Sequence, residues 1–361
     1  MPATALEQML LELINRARLD PAAEAARFGI DLNEGLAPNT ISAVSKQPLA
    51  MNETLLSVAR AHSQDMIDRD YFDHNTPEGV TPFQRIANAG YSPLTAGGEN
   101  IALRSTNGAV TTAMTLMLHQ DFFVDSTVAG RGHRLNMLNA AFQEVGVGQV
   151  TGNFQGLNAT MLTDDFGTSG SHQFLTGVSY ADLDHDNFYS VGEGRGAMTI
   201  AVGGSSTSTA GAGGYSLSVG TGVQNVTFSG GGLGAPISLA VTMLANPTPR
   251  STSSIKRHLH FRVTDRSRRR RDHHRTWHHR SYADRRCRHR YDLRHQGKRH
   301  AERRRWHGHR RVLGGTRGLH DFAERRRFPG RRAGRHRPIA QHRERAVLRS
   351  DCFASTSAQR F

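Results

Sequence analysis

Apolar residues recur at helical spacing from residue 4 to 18. Leu6, Met9, Leu10, Leu13, Ile14 and Ala17 share one face, and Asp20-Pro21 stops the pattern. Asn52 is an N-cap signal for a second helix with Leu55, Leu56, Val58, Ala59, Ala61 and Met66 on its apolar face. Thr81 followed by Pro82 starts a short third helix that carries Phe83, Ile86 and Ala87 and ends near Gly90. Residues 109–123, AVTTAMTLMLHQDFF, predict a largely buried helix. VAGRGHRLNMLN is expected to be a glycine-containing loop, and EVGVGQV and LNATMLTDD are expected strands.

From about residue 168 the period falls to two. MTIAV, YSLSV, NVTFS and ISLAVTM each put apolar residues at every second position, and GGSSTSTAGAGG and GGGLGAP separate them as turns. A small all-β sandwich is the expectation. Beyond residue 250 no period survives.

Charge sharpens this division. Residues 1–250 hold 12 Lys and Arg against 22 Asp and Glu, whereas residues 251–361 hold 34 against 9 and 14 of the 20 histidines. An acidic chain is thus joined to a basic one of net +25. With few clustered apolar residues, the basic stretch is expected to be disordered by itself. Three readings of it stand open: a phosphate-binding nucleic-acid arm, a His-rich metal tract, or an out-of-frame translation of GC-rich DNA. Both cysteines, Cys287 and Cys352, lie there, so the acidic part folds without disulfides. No run of 18 apolar residues occurs, so no membrane span is expected. The first residues have no basic segment ahead of a short apolar run, so a cleaved signal is not expected either.

Four motifs in order, LLELINRAR, ETLLSVARAHSQDM followed by YFDH, GENIA, and GRGHRLNMLNAAFQEVGVG, resemble a bacterial member of the CAP superfamily over residues 5 to 166. That superfamily groups cysteine-rich secretory, antigen 5 and pathogenesis-related 1 proteins, and its domain is also called SCP. The resemblance implies an α+β fold: a three-layer α-β-α sandwich over residues 1–168, followed here by a β-sandwich over 169–250 and a tail over 251–361. It also implies an extracellular or cell-surface location and a cleft holding two histidines, His74 and His133, with Glu99 as the first acid. On the helix where the family carries its second acid, this chain offers His119 or Asp121. Glu144 is a further carboxylate near the motif.

Two imidazoles with one or two carboxylates suit zinc or another divalent ion, and equally suit acid–base work on a water molecule. Three functions therefore compete. The chain binds a divalent metal or a small apolar ligand or lipid in that cleft; or it is a metal-assisted hydrolase with Glu99 as base and His74 and His133 holding the ion; or it binds nucleic acid through the tail. No HExxH, GxSxG or phosphate-binding loop accompanies the histidines. His62, Asn15 and Asn100 are read as structural.

Residues 182–193, DLDHDNFYSVGE, fit a twelve-position calcium loop. Asp182, Asp184 and Asp186 take positions 1, 3 and 5, Phe188 offers its carbonyl at 7, Ser190 sits at 9 and Glu193 at 12. Position 6 is Asn187, which tolerates positive φ better than most residues. The strand-like flanks resemble the Asp-rich loops of bacterial surface and carboxypeptidase-regulatory-like β-sandwiches rather than an EF-hand, and a structural calcium is expected.

Overall fold

A computed structural model describes residues 1–170 and 172–243, together with the backbone of two short strands, His258–Arg262 and Cys352–Ala354. The expected nucleic-acid arm, His-rich tract or shifted reading frame falls almost wholly outside the described residues, as do residues 244–250 of the expected sandwich.

The first unit is built in three layers. Helices α1 (Ala5–Leu19) and α2 (Pro21–Arg27) open the chain, and strand β1 (Ala50–Met51) leads into α3 (Glu53–Asp68). Then come α4 (Pro82–Asn88), β2 (Ala96–Thr106), α5 (Thr112–Val124), α6 (Gly132–Met137), β3 (Glu144–Phe154) and β4 (Leu157–Thr168). The caps are those the sequence calls for. Asn52 Oδ1 accepts from the amides of Thr54 and Leu55, and Thr81 closes a capping box with Gln84. One expectation is extended here and another fails. Asp20-Pro21 does end α1, but Asp20 also accepts from Ala23 N and, with proline at the first position, starts α2. The presumed loop VAGRGHRLNMLN contains α6, which begins after Arg131 at φ 51° with no side-chain cap.

β3, β4 and β2 form the antiparallel heart of the sheet, and β1 pairs parallel to β3. Above one face lie Leu10, Leu11 and Ile14 of α1, Leu118, Phe122 and Phe123 of α5, and Met137 of α6, packed on Val145, Val147, Leu162 and Phe166. On the other face Met66 and Ile67 of α3 pack on Ile101, Leu103 and Met161. Each such side chain, taken fully from water, contributes about 1.5–3 kcal/mol before entropy is counted. The helix–sheet–helix order expected from the motifs is therefore the order the chain forms.

The second unit has strands β5 (Gln173–Tyr180), β6 (Met198–Val202), β7 (Ser205–Ser208), β8 (Gly214–Val219), β9 (Gly222–Gly230) and β10 (Ile237–Met243). β10-β9-β6-β7 form one sheet and β5-β8 belong to another. Leu175 and Tyr215 of one sheet meet Met198, Ile200, Val226 and Phe228 of the other. The alternation places these residues correctly, but GGSSTSTAGAGG, expected to be a turn, contributes β7, a hairpin partner of β6. The unit is seated on the first: Val178, Tyr180 and Tyr189 pack with Met9 and Leu13 of α1.

Inside the stretch expected to be disordered, β11 (His258–Arg262) runs parallel to β5 and β12 (Cys352–Ala354) runs antiparallel to Gly98–Asn100 of β2. Neither needs a hydrophobic period, because a sheet edge offers unpaired N–H and C=O groups to any extended segment.

Candidate functional site

Glu99 lies on β2 and Arg85 on α4, and His74 precedes α4 in the loop after α3. Glu99 is 1% exposed, too buried to remain charged without partners. His74 Nδ1 lies 2.6 Å from Glu99 Oε1, and because a carboxylate only accepts, that ring nitrogen carries the donated proton. The Arg85 guanidinium donates to the other carboxylate oxygen, and its second arm donates to the His74 carbonyl at 2.7 Å, tying the loop to the strand. Burial pushes the Glu99 carboxyl up, but the hydrogen bond from His74 and the Arg85 charge outweigh it, and the net shift is downward. Glu99 is thus a held, ionised carboxylate, the reverse of a base poised near neutrality.

Across the ladder, Asp165 of β4 stands opposite Glu99 and is fully buried. Burial and the neighbouring Glu99 charge drive its carboxyl well above the usual range, which favours the neutral acid. Asp164 beside it alternates to the other face. It too is buried and pushed well up, and neither of its oxygens has a hydrogen bond among the described residues. In the sequence both residues fall within the expected strand LNATMLTDD, and the signal they carry is two consecutive acids inside an otherwise uncharged run.

His133 has a different carboxylate partner. Its Nδ1 lies 2.8 Å from Asp125 Oδ1, its backbone N–H donates to Asp125 Oδ2 at 2.9 Å, and its ring packs on Phe122 at 4.9 Å between centroids. Asn100 Nδ2 donates to the His133 carbonyl at 3.1 Å, and Asn136 Nδ2 donates to Asn100 Oδ1 and to the Glu99 carbonyl. The carboxylate that meets His133 is Asp125, one residue past the end of α5 at φ 52°. The two residues expected on that helix are engaged elsewhere: His119 Nε2 meets Glu24 of α2 at 2.9 Å, and Asp121 makes a two-pronged pair with Arg104. Glu144 is fastened by Asn52, Tyr91 and Ser169. The structure brings His74 together with Glu99 and gives His133 its own carboxylate.

A cavity of about 330 Å³ opens further along the same face. It is lined by Asp70, Tyr71, Phe72, Asp73, Leu103, Phe154 and Gln155, and none of the residues expected in the cleft lines it. Leu103 is four residues beyond Glu99 on β2. His62 braces the cavity wall: its Nε2 lies 3.0 Å from the Asp73 carbonyl, and burial pushes its pKa down to about 4, so it is neutral at pH 7. The Tyr71 hydroxyl donates to Asp65 at 2.6 Å.

In the Asp-rich loop, Asp182, Asp184 and Glu193 each direct a carboxylate oxygen to within 4.8 Å of the others. Asn187 has φ 64°, the left-handed turn that position 6 requires. Glu193 accepts from the amides of Leu183 and Ser190, at 2.6 and 2.8 Å, and Ser190 Oγ donates to Asp184. Asp186 turns its Oδ1 to the amide of Phe188 at 2.7 Å and is absent from the close group. A hard, oxygen-preferring cation fits this donor set.

The profile of the cysteine-rich secretory protein family, CAP, matches residues 11–161. This stretch is a CAP domain. The uncharacterized protein YkwD of Bacillus subtilis (strain 168) is 37% identical over 129 residues, 32% of this chain. The chain spans 45% of that relative's length. Among solved structures, an extracellular SCP-domain protein of Bacillus anthracis str. Ames is 27% identical with a TM-score of 0.26, covering 34% of this chain and 35% of that one. An outer surface protein of Borrelia burgdorferi is 13% identical with a TM-score of 0.29, covering 47% and 97%. Within the CAP domain the profile spans α3, the His74–Glu99 pair and His133. It ends before the β unit. No helix among the described residues is long and apolar enough to cross a membrane.

Proposed function

We propose that this chain is an exported CAP-domain binding protein that takes a small, largely apolar ligand in the cavity beside α3, with calcium stabilising the loop that docks its β unit. The cavity carries the reading. A volume of about 330 Å³ walled by Tyr71, Phe72, Leu103 and Phe154, with a few polar groups at its mouth, has the size and composition of a small-molecule site. The His74–Glu99–Arg85 network supports the wall rather than reacting, because both Glu99 oxygens are engaged. Calcium at Asp182, Asp184 and Glu193 would offset their mutual repulsion and fix Phe188 and Tyr189, which pack against α1.

The test follows the Leu103 methyl resonances while 3,3-dimethyl-1-butanol is added. A saturable shift is expected in the unaltered protein, and the saturable heat of binding seen by calorimetry is expected to disappear in Leu103→Phe, whose larger ring fills the space. No saturable shift in the unaltered protein with this alcohol or with a charged molecule of the same shape overturns the reading.

A further inference from the structure

We propose that the cavity selects an organic cation, an alkylammonium group such as a trimethylammonium head, over a neutral molecule of the same shape. This rests on the binding reading above and names its ligand class.

The lining combines the two features that recognise such a group. Tyr71, Phe72 and Phe154 supply aromatic surface, and Asp70 and Asp73 supply negative charge at the mouth. No lysine or arginine is among the lining residues described. Both carboxylates are fixed in place: Asp70 Oδ1 accepts from Gln155 N at 2.7 Å, and Asp73 Oδ1 accepts from Asn75 N at 2.8 Å. A preset carboxylate loses little freedom when a cation arrives.

The surrounding chain reinforces the sign. Residues 65–78 carry five acids, Asp65, Asp68, Asp70, Asp73 and Glu78, against a single arginine. That arginine, Arg69, is spent on Asp65 and Glu78. Its guanidinium carbon stands 5.4 Å from the centroid of the Tyr71 ring, so one of the lining rings already carries a cation. The Tyr71 hydroxyl donates its proton to Asp65, which leaves the ring electron-rich.

The competing ligand chemistries fit less well. An anion meets net negative charge. A metal ion needs three converging donors, and among the described residues such a group occurs at Asp182, Asp184 and Glu193, not here. A tetraalkylammonium has diffuse charge and an apolar surface. It can fill the space against Leu103 and Phe154 while its charge faces Asp70 and Asp73, and cation–π contact with partial desolvation adds about 1 kcal/mol or more.

The experiment compares choline with its neutral isostere 3,3-dimethyl-1-butanol on the full chain, read at the Leu103 methyls in 20 mM and 300 mM salt. Choline is expected to bind at least about tenfold more tightly at low salt. The advantage should shrink at high salt and vanish in Asp70→Asn/Asp73→Asn, which keeps both backbone-accepting oxygens. Equal binding of the two probes overturns the cation inference and leaves the binding reading standing; binding of neither overturns both. Retained choline preference in a folded double variant also overturns it. If that variant does not fold, Asp70→Asn alone and the salt dependence of the unaltered chain decide the matter.

Discussion

A methyl group placed on Gly146 would lie 2.0 Å from the carbonyl carbon of Leu55, so helix α3 rests directly on the bare backbone of β3. Gly148 repeats the contact one step on, 2.3 Å from the carbonyl carbon of Ala59. The pattern EVGVGQV is thus a flat track for a helix. The neighbour in each case is backbone, which cannot swing aside.

Gly146→Ala should therefore destabilise the CAP domain by about 3 kcal/mol or more through overpacking. Gly108→Ala, where the nearest atom is 3.7 Å away, should be close to neutral. Thermal midpoints of the two variants check this; similar midpoints would show that α3 can lift off without cost.

Asp164 predicts an inverted pH response. Its folded pKa is raised well above the unfolded value by burial. Below the unfolded pKa both states hold the proton and the residue carries no penalty. As pH rises past that point, the unfolded chain releases a proton that the folded chain retains, and stability is lost until the folded pKa is passed. Asp164→Asn should therefore raise the thermal midpoint more at pH 8 than at pH 4. Midpoints across that range check it, and a constant difference would refute it. Glu99 acts with the opposite sign: its lowered carboxyl contributes stability above the unfolded pKa that is lost as pH falls through the folded one.

Tyr189 is completely buried where the Asp-rich loop meets α1. Tyr189→Ala should cost about 3 kcal/mol, the ordinary cost of emptying an aromatic site. It should also split unfolding into two calorimetric transitions, the CAP domain melting apart from the β unit. One unsplit transition at the original temperature would show that the loop does not couple them.

Calcium should stabilise the fold by about 1.4 kcal/mol at tenfold over its dissociation constant and so raise the thermal midpoint, and a chelator should reverse the gain. Asp184→Asn should blunt it, because Asp184 is one of the three converging carboxylates. An identical midpoint with calcium and with chelator would remove the ion from the loop.

Much of this molecule is legible as a sequence because local chemistry decides it. Asn52 and Thr81 cap the helices they announce, and Asn187 adopts the left-handed turn its position demands. The alternation in NVTFS and ISLAVTM places Val226 and Phe228 inside. What fails is decided at a distance. Asp125 finds His133 only because the chain turns back at φ 52° after α5, and His119 is claimed by Glu24, 95 residues earlier. The helix at Gly132–Met137 has no capping side chain to betray it. The cavity is assembled from the loop after α3, the middle of β2 and the β3–β4 turn, and no single segment carries its pattern.

The Asp-rich loop also has a mechanical meaning. Phe188 lies under the guanidinium of Arg16 at 5.0 Å, and the Tyr189 hydroxyl reaches the carbonyl of Ala5 at 3.5 Å. Tension applied to the chain beyond Met243 therefore reaches the first helix not only along the covalent backbone but also across packed contacts, the aromatic one and the hydrogen bond from Ser216 to the Met51 carbonyl among them. The aromatic contact yields only when Tyr189 is drawn away from Met9 and Leu13. A loop shaped to hold a cation thus also serves as one of the mechanical fastenings between the two units.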